Sequence, residues 1–197
     1  MNQPASNYVR SHELLDRAAS RLLIVDVQEK LIPTIAQAAR VVANCRQLID
    51  GAQILGVPVF ATEQYPKGLG PTVASLREGL STVPEKLLFS CAEVLNWGTA
   101  AEQTEQRFQV VVAGIESHVC VLQTVLDLLS QGYRVYVPAD AVSSRQEFDW
   151  KIALDRMSNA GATITTTESV LFEWCERAGT PEFKQISQLI KSRGNGT

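Results

Sequence analysis

A three-layer α/β/α fold of Rossmann-like type, built on a mostly parallel central sheet, is predicted by three features of this 197-residue chain. Short runs rich in Val, Ile and Leu recur along it, and segments of helical periodicity separate them. The runs are apolar throughout, the pattern of strands covered on both faces. Several end in a glycine or an ionisable residue, which marks where the backbone leaves the sheet.

In order, residues 21–26 (RLLIVD) form a buried strand that ends in the carboxylate of Asp26. An amphipathic helical segment spans residues 34–55, and residues 56–61 (GVPVFA) make the next strand. Residues 62–71 (TEQYPKGLGP) read as a polar loop, long for a plain connection and therefore a candidate wall of a site. The short run 86–89 (KLLF) precedes a helical stretch that extends to about Arg107. Residues 110–113 (VVVA) make a strand broken at Gly114, after which Val119, Leu122, Val125, Leu126 and Leu129 recur at helical spacing until Gly132. The strand at 133–138 leads to Asp140, a helix covers about 148–159, a strand 162–165, and the C-terminal region is helical.

Composition narrows the class. With 45% hydrophobic and 20% charged residues the whole chain, residues 1–197, is read as one domain with an N-terminal arm over residues 1–20. A net charge of −3, with Lys and Arg scattered, speaks against nucleic acid as a partner. No apolar stretch approaches the length that spans a bilayer, and the first twenty residues lack the apolar core of an export signal. Four cysteines at irregular spacing then read as free thiols in a reducing cytoplasm.

Cys120 is the first candidate for chemistry. With Ser117 as N-cap, its sulfur falls in the first helical turn near unpaired N–H groups, where the thiolate is favoured. A cysteine is ordinarily a small core hydrophobe, and Cys45 and Cys175 read that way; Cys91 can line a pocket, but its own neighbours give no reason for activation. Cys120 differs by following a strand, where open α/β sheets bind ligands. Asp26 and Lys86 lie at the margins of other apolar runs, where an isolated charge is costly. Each alone reads as a helix cap or a surface lysine. At one edge of one sheet they supply a proton acceptor and a cation beside a nucleophile.

With these residues in view the chain resembles the isochorismatase-like cysteine hydrolases, a group that includes nicotinamidases and carbamoyl-amide hydrolases. The resemblance covers nearly the whole chain and rests on residues 23–28 (LIVDVQ), 86–90 (KLLFS), 114–120 (GIESHVC) and 133–145. It is similar above all to the isochorismatase-domain-containing subgroup. The resemblance implies that Cys120 attacks a carbonyl-type carbon, Asp26 acts as general base and acid, and Lys86 supports the anionic states. It also implies a cis peptide between Ile115 and Glu116, and an oxyanion hole from the N–H groups of Glu116 and Cys120.

Two departures bear on the activity. Nicotinamidases of the family carry an Asp-x-His metal pattern after the second strand, where this chain has Thr62, Glu63 and Gln64, so no metal and no cofactor is expected. Members that cleave the isochorismate ether lack a cysteine nucleophile, whereas this chain has Cys120, which favours hydrolysis of an amide-like C–N bond in a small molecule. Gln28, Gln64, Tyr65 and His118 are candidate substrate contacts. The alternatives are a silent oligomeric binding module on the same fold, ether hydrolysis of the isochorismatase type, or redox sensing through Cys120, for which no cysteine nearby in sequence offers a resolving partner. The resemblance further implies a homo-oligomer, a dimer or higher.

Overall fold

The computed structural model describes residues 8–194, so residues 1–7 of the expected arm lie outside it. Its elements are β1 (Ser20–Val25), α1 (Ala38–Leu55), β2 (Val59–Gln64), α2 (Pro66–Leu69), α3 (Ala74–Arg77), β3 (Glu85–Lys86), α4 (Ala92–Leu95), β4 (Gln109–Ile115), α5 (Leu122–Ser130), β5 (Arg134–Pro138), β6 (Val142–Ser143), α6 (Glu147–Asn159), β7 (Thr163–Thr165), α7 (Thr167–Cys175) and α8 (Pro181–Gly194). The seven strands form one sheet in the order β3-β2-β1-β4-β5-β7, with β6 pairing the end of β4. Every strand pair in it is parallel.

Alternation along the strands divides the core into two layers. Leu22 and Ile24 of β1, with Val111, Ala113 and Ile115 of β4, pack against α1, α7 and α8. Leu23 and Val25, with Val110 and Val112, face α5 and α6. Both faces of the two central strands are therefore buried, which explains why their sequences carry no polar alternation.

The structure revises several of the expected boundaries. Gly56 ends α1 in a left-handed conformation (φ 71°), and the second strand starts three residues later. Thr62, Glu63 and Gln64, expected in a loop, are the last residues of β2, held in register by β1 on one side and β3 on the other. Lys86 closes β3, and the chain turns away at Leu87. The helix expected up to Arg107 is reduced to α4 and one 3-10 turn (Ala100–Glu102). Asn96 (φ 47°) and Gly98 (φ 69°) are both left-handed, which no continuous helix accommodates. Trp97 between them is anchored on Phe60 and Tyr133.

Candidate active site

Asp26, Lys86 and Cys120 come from the C-terminal ends of β1, β3 and β4, and the sheet order sets all three along one edge. Asp26 leaves β1 with φ 51°, a left-handed conformation that a short polar side chain tolerates better than a bulky one. Its carboxylate is completely buried: Oδ1 accepts from the Thr62 hydroxyl (2.8 Å) and Oδ2 lies 2.7 Å from Lys86 Nζ, whose side chain is equally buried. An ion pair so enclosed persists only with its remaining bonds satisfied. Lys86 Nζ accordingly also donates to Gln64 Oε1 (2.6 Å) and to the carbonyls of Phe89 (2.9 Å) and Leu88 (3.3 Å).

The turn that carries Cys120 is shaped by β4. Gly114 has φ 118°, and a Cβ there would sit 2.1 Å from the carbonyl oxygen of Val25, so only glycine lets β4 lie this close to the end of β1. The Ile115–Glu116 peptide is cis. One wide turn of π type, Ser117–Val121, then leads into α5, a form that recurs at functional sites. The N–H groups of Val119 and Val121 converge on the Glu116 carbonyl at 3.1 and 3.2 Å. Glu116, with extended backbone, occupies the capping position expected for Ser117; the Ser117 hydroxyl is buried and, among the described residues, makes no hydrogen bond.

The surroundings of Cys120 act against the thiolate that a place in a helical turn favours. Burial pushes its thiol up, the Asp26 carboxylate pushes it further the same way, and Lys86 pulls it down by less. The same sheet edge that supplies the cation also supplies an anion and excludes water, and the net direction favours the protonated thiol. Cys120 is only 6% exposed.

Of the other expected contacts, Gln28 is fully buried. Its Nε2 donates to the carbonyls of Gln64 (3.0 Å) and Gly70 (2.6 Å), and its Oε1 accepts from Gln64 N–H (2.8 Å). Gln64 holds Lys86 through Oε1 and donates through Nε2 to the Leu87 carbonyl at 2.9 Å. Tyr65 is half exposed beside the edge strand β3, where it lines a cavity of about 350 Å³ with Pro66, Lys67, Glu85, Lys86 and Leu87. His118 pairs through Nδ1 with the Ser144 hydroxyl at 2.9 Å. Glu63, on the opposite face of β2 from Thr62 and Gln64, accepts from both the N–H and the hydroxyl of Thr72 at 2.7 Å.

The structure adds contacts that the sequence did not assign to Thr62, Cys91 and Arg145. Thr62 bridges Asp26 to Cys91 Sγ (3.2 Å), and Cys91 N–H donates to Thr124 Oγ1 (2.9 Å), which donates in turn to the Cys120 carbonyl (2.7 Å). A second buried thiol, pushed up to about 11 chiefly by burial, thus borders the first. Arg145 grips Glu116 with two bonds of 2.9 and 2.8 Å. The motif spacing of Gly114 to Cys120 was a sequence signal for the turn; nothing local in sequence marks its partners, which lie 26 to 29 residues away. Among the described residues no cluster of three or more His, Cys, Asp or Glu is arranged to hold a metal ion.

Comparison with known proteins agrees with this fold. The isochorismatase domain matches residues 20–169. Isochorismatase domain-containing protein 2 of Danio rerio is 41% identical over 177 residues, 89% of this chain and 89% of the relative. The secreted isochorismatase effector Isc1 of Phytophthora sojae is 39% identical over 181 residues, 88% of this chain and 85% of the relative. The solved structure of MAR1 ribonuclease from Caenorhabditis elegans is 39% identical and superposes with a TM-score of 0.83 over 90% of this chain and 92% of the other. With a matching domain across all of the sheet and relatives alike over most of their length, the chain belongs to the isochorismatase domain family.

Proposed function

We propose that this protein is a cysteine hydrolase that cleaves an amide-like C–N bond of a small molecule. The observation that supports this reading best is the meeting of Asp26, Lys86 and Cys120, with one carboxylate against both the ammonium, at 2.7 Å, and the thiol. A buried thiol with a high proton affinity needs a base in contact with it, and Asp26 is that base. As the sulfur attacks the carbonyl carbon, Asp26 takes the thiol proton, and the tetrahedral oxyanion is held by the N–H groups of Glu116 and Cys120. Breaking the C–N bond then transfers that proton from Asp26 to the leaving nitrogen and leaves a Cys120 thioester. Water adds to the thioester while Asp26 takes its proton, the acid departs, and the proton returns to the sulfur. Lys86 balances the negative charge of Asp26 in the steps in which that carboxylate is ionised, and supports the anionic states of the reacting groups when it is not.

The reading extends to the whole protein as one domain that works without metal or cofactor, in the cytoplasm, as a homo-oligomer, with no nucleic-acid or membrane partner. All four cysteines are free, and no helix among the described residues is long and apolar enough to cross a membrane. Apolar side chains left in water, Leu87 at 77% and Phe148 at 72% exposure, suit a contact between copies.

The test is turnover of a panel of small primary and N-substituted amides, with acyl-enzyme trapping by mass spectrometry after rapid quench. Wild type is expected to release amine and to gain the acyl mass on Cys120, and Asp26→Asn to lose at least about 100-fold in rate, the usual contribution of a general acid–base. Amine release that persists in Cys120→Ala removes the proposal.

A further inference from the structure

We infer that Gln64 is a positioning residue for the Lys86–Asp26 pair, locked in place by Gln28, and that neither glutamine contacts substrate. This rests on the cysteine-hydrolase reading above and assigns a task within the same site. Lys86 Nζ meets four acceptors, and two of them, the carbonyls of Leu88 and Phe89, belong to the backbone. Asp26 and Gln64 are the two side chains that fix where the ammonium stands.

The orientation of the Gln64 amide follows from its two ends. Nε2 donates to the Leu87 carbonyl, so the oxygen is the end that faces Lys86; a flipped amide would set N–H against ammonium and carbonyl against carbonyl. The backbone at Gln64 is fixed in its turn by Gln28, whose amide takes the Gln64 N–H and gives to the Gln64 carbonyl. Both donors and the acceptor of Gln28 are engaged with backbone, and its side chain is out of contact with solvent. A substrate group would have to displace one of these bonds to reach either amide, which leaves a buried polar group unpaired.

Strand parity makes the arrangement possible. Thr62 and Gln64 point to the same face of β2, two residues apart, and span the gap between β1 and β3. Thr62 takes the carboxylate end of the ion pair and Gln64 the ammonium end. A neutral acceptor at Gln64 leaves Asp26, among the described residues, as the single anion on Lys86. A carboxylate there would add a second negative charge and draw the ammonium away from Asp26.

The test reads the pH profile of Cys120 alkylation by iodoacetamide, mapped by peptide mass spectrometry, for wild type, Gln64→Met, Gln64→Glu, Asp26→Asn and Lys86→Ala. The groups that face Cys120 are Asp26 from β1, Lys86 from β3 and Cys91 ahead of α4. Gln64→Met removes the acceptor at similar volume, loosens Lys86, and is expected to move the midpoint up by about one unit, a roughly tenfold slower reaction below it. Gln64→Glu keeps an acceptor oxygen and adds an anion, so its midpoint rises also. Asp26→Asn is expected to lower the midpoint and Lys86→Ala to raise it. Profiles of both Gln64 variants that overlay wild type, while the Asp26 and Lys86 variants shift, overturn the role of Gln64 alone. If neither Asp26→Asn nor Lys86→Ala shifts the profile, the reading of the whole site fails. Should Gln64→Met fail to fold, Gln64→Glu decides by the same comparison.

Discussion

Gly114 is the residue on which the site depends without taking part in its chemistry. A methyl group there would meet Val25 backbone nitrogen and oxygen at 2.6 and 2.1 Å, at a φ that side chains rarely adopt. Gly114→Ala is expected to lower stability by about 3 kcal/mol or more, since backbone must shift and a strained conformation be held, and urea unfolding measures it. Arg145 makes a second case. Arg145→Ala strips two charge-assisted bonds from the nearly buried Glu116 carboxylate and should cost about 1–3 kcal/mol by thermal unfolding, with Arg145→Lys restoring only part because a point charge replaces a planar fork. Asp26 and Lys86 were legible in the sequence as ionisable groups at the margins of apolar runs, and Cys120 as a thiol in the helical turn that follows one. Thr62 and Arg145 were not, because what distinguishes them is a neighbour distant in the chain, and Cys91 was legible only as a residue able to line a pocket.

At the scale of elements, α5 ties the turn that carries Cys120 to the irregular segment after β3. Its Thr124 accepts from Cys91 N–H and donates to the Cys120 carbonyl, so one hydroxyl joins the two cysteine-bearing segments. Thr124→Val leaves a buried N–H and a buried carbonyl without that partner and is expected to cost about 1–3 kcal/mol, whereas Thr124→Ser keeps both bonds; a pair of denaturation curves distinguishes them. The strands and main helices were legible in outline because their apolar periods are long. The stretch from Leu87 to Phe108 was not, because its conformation is set by left-handed residues and by Trp97 packing on Phe60 and Tyr133. These are contacts, not a local period.

At the scale of the molecule, the buried thiols couple stability to alkaline pH. Burial raises Cys45 to about 12 and Cys91 to about 11 from the usual 9.0, so below pH 9 folded and unfolded chains both keep these protons. Between pH 9 and those values the unfolded chain has lost protons that the folded one retains, and stability falls as pH rises, by at most about 1.4 kcal/mol per pH unit for each thiol. Urea midpoints measured from pH 8 to 10.5 should fall, and Cys45→Ala, though less stable at neutral pH, should show a shallower slope. An unchanged slope in that variant means that Cys45 does not carry the effect.

The sequence by itself determined the layered α/β fold, since buried parallel strands and amphipathic helices are written in local periodicity. It also determined which three reactive groups stand at strand ends. What only the tertiary structure decided is how those groups affect one another. The order of strands places β2 between Asp26 and Lys86, and the parity of β2 turns Thr62 and Gln64 toward the site and Glu63 away from it. Enclosure beside a carboxylate then raises the proton affinity of the Cys120 thiol, against the direction that its place in a helical turn implied. Proton affinity depends on burial and on charges within a few ångströms, and both are properties of the assembled sheet edge.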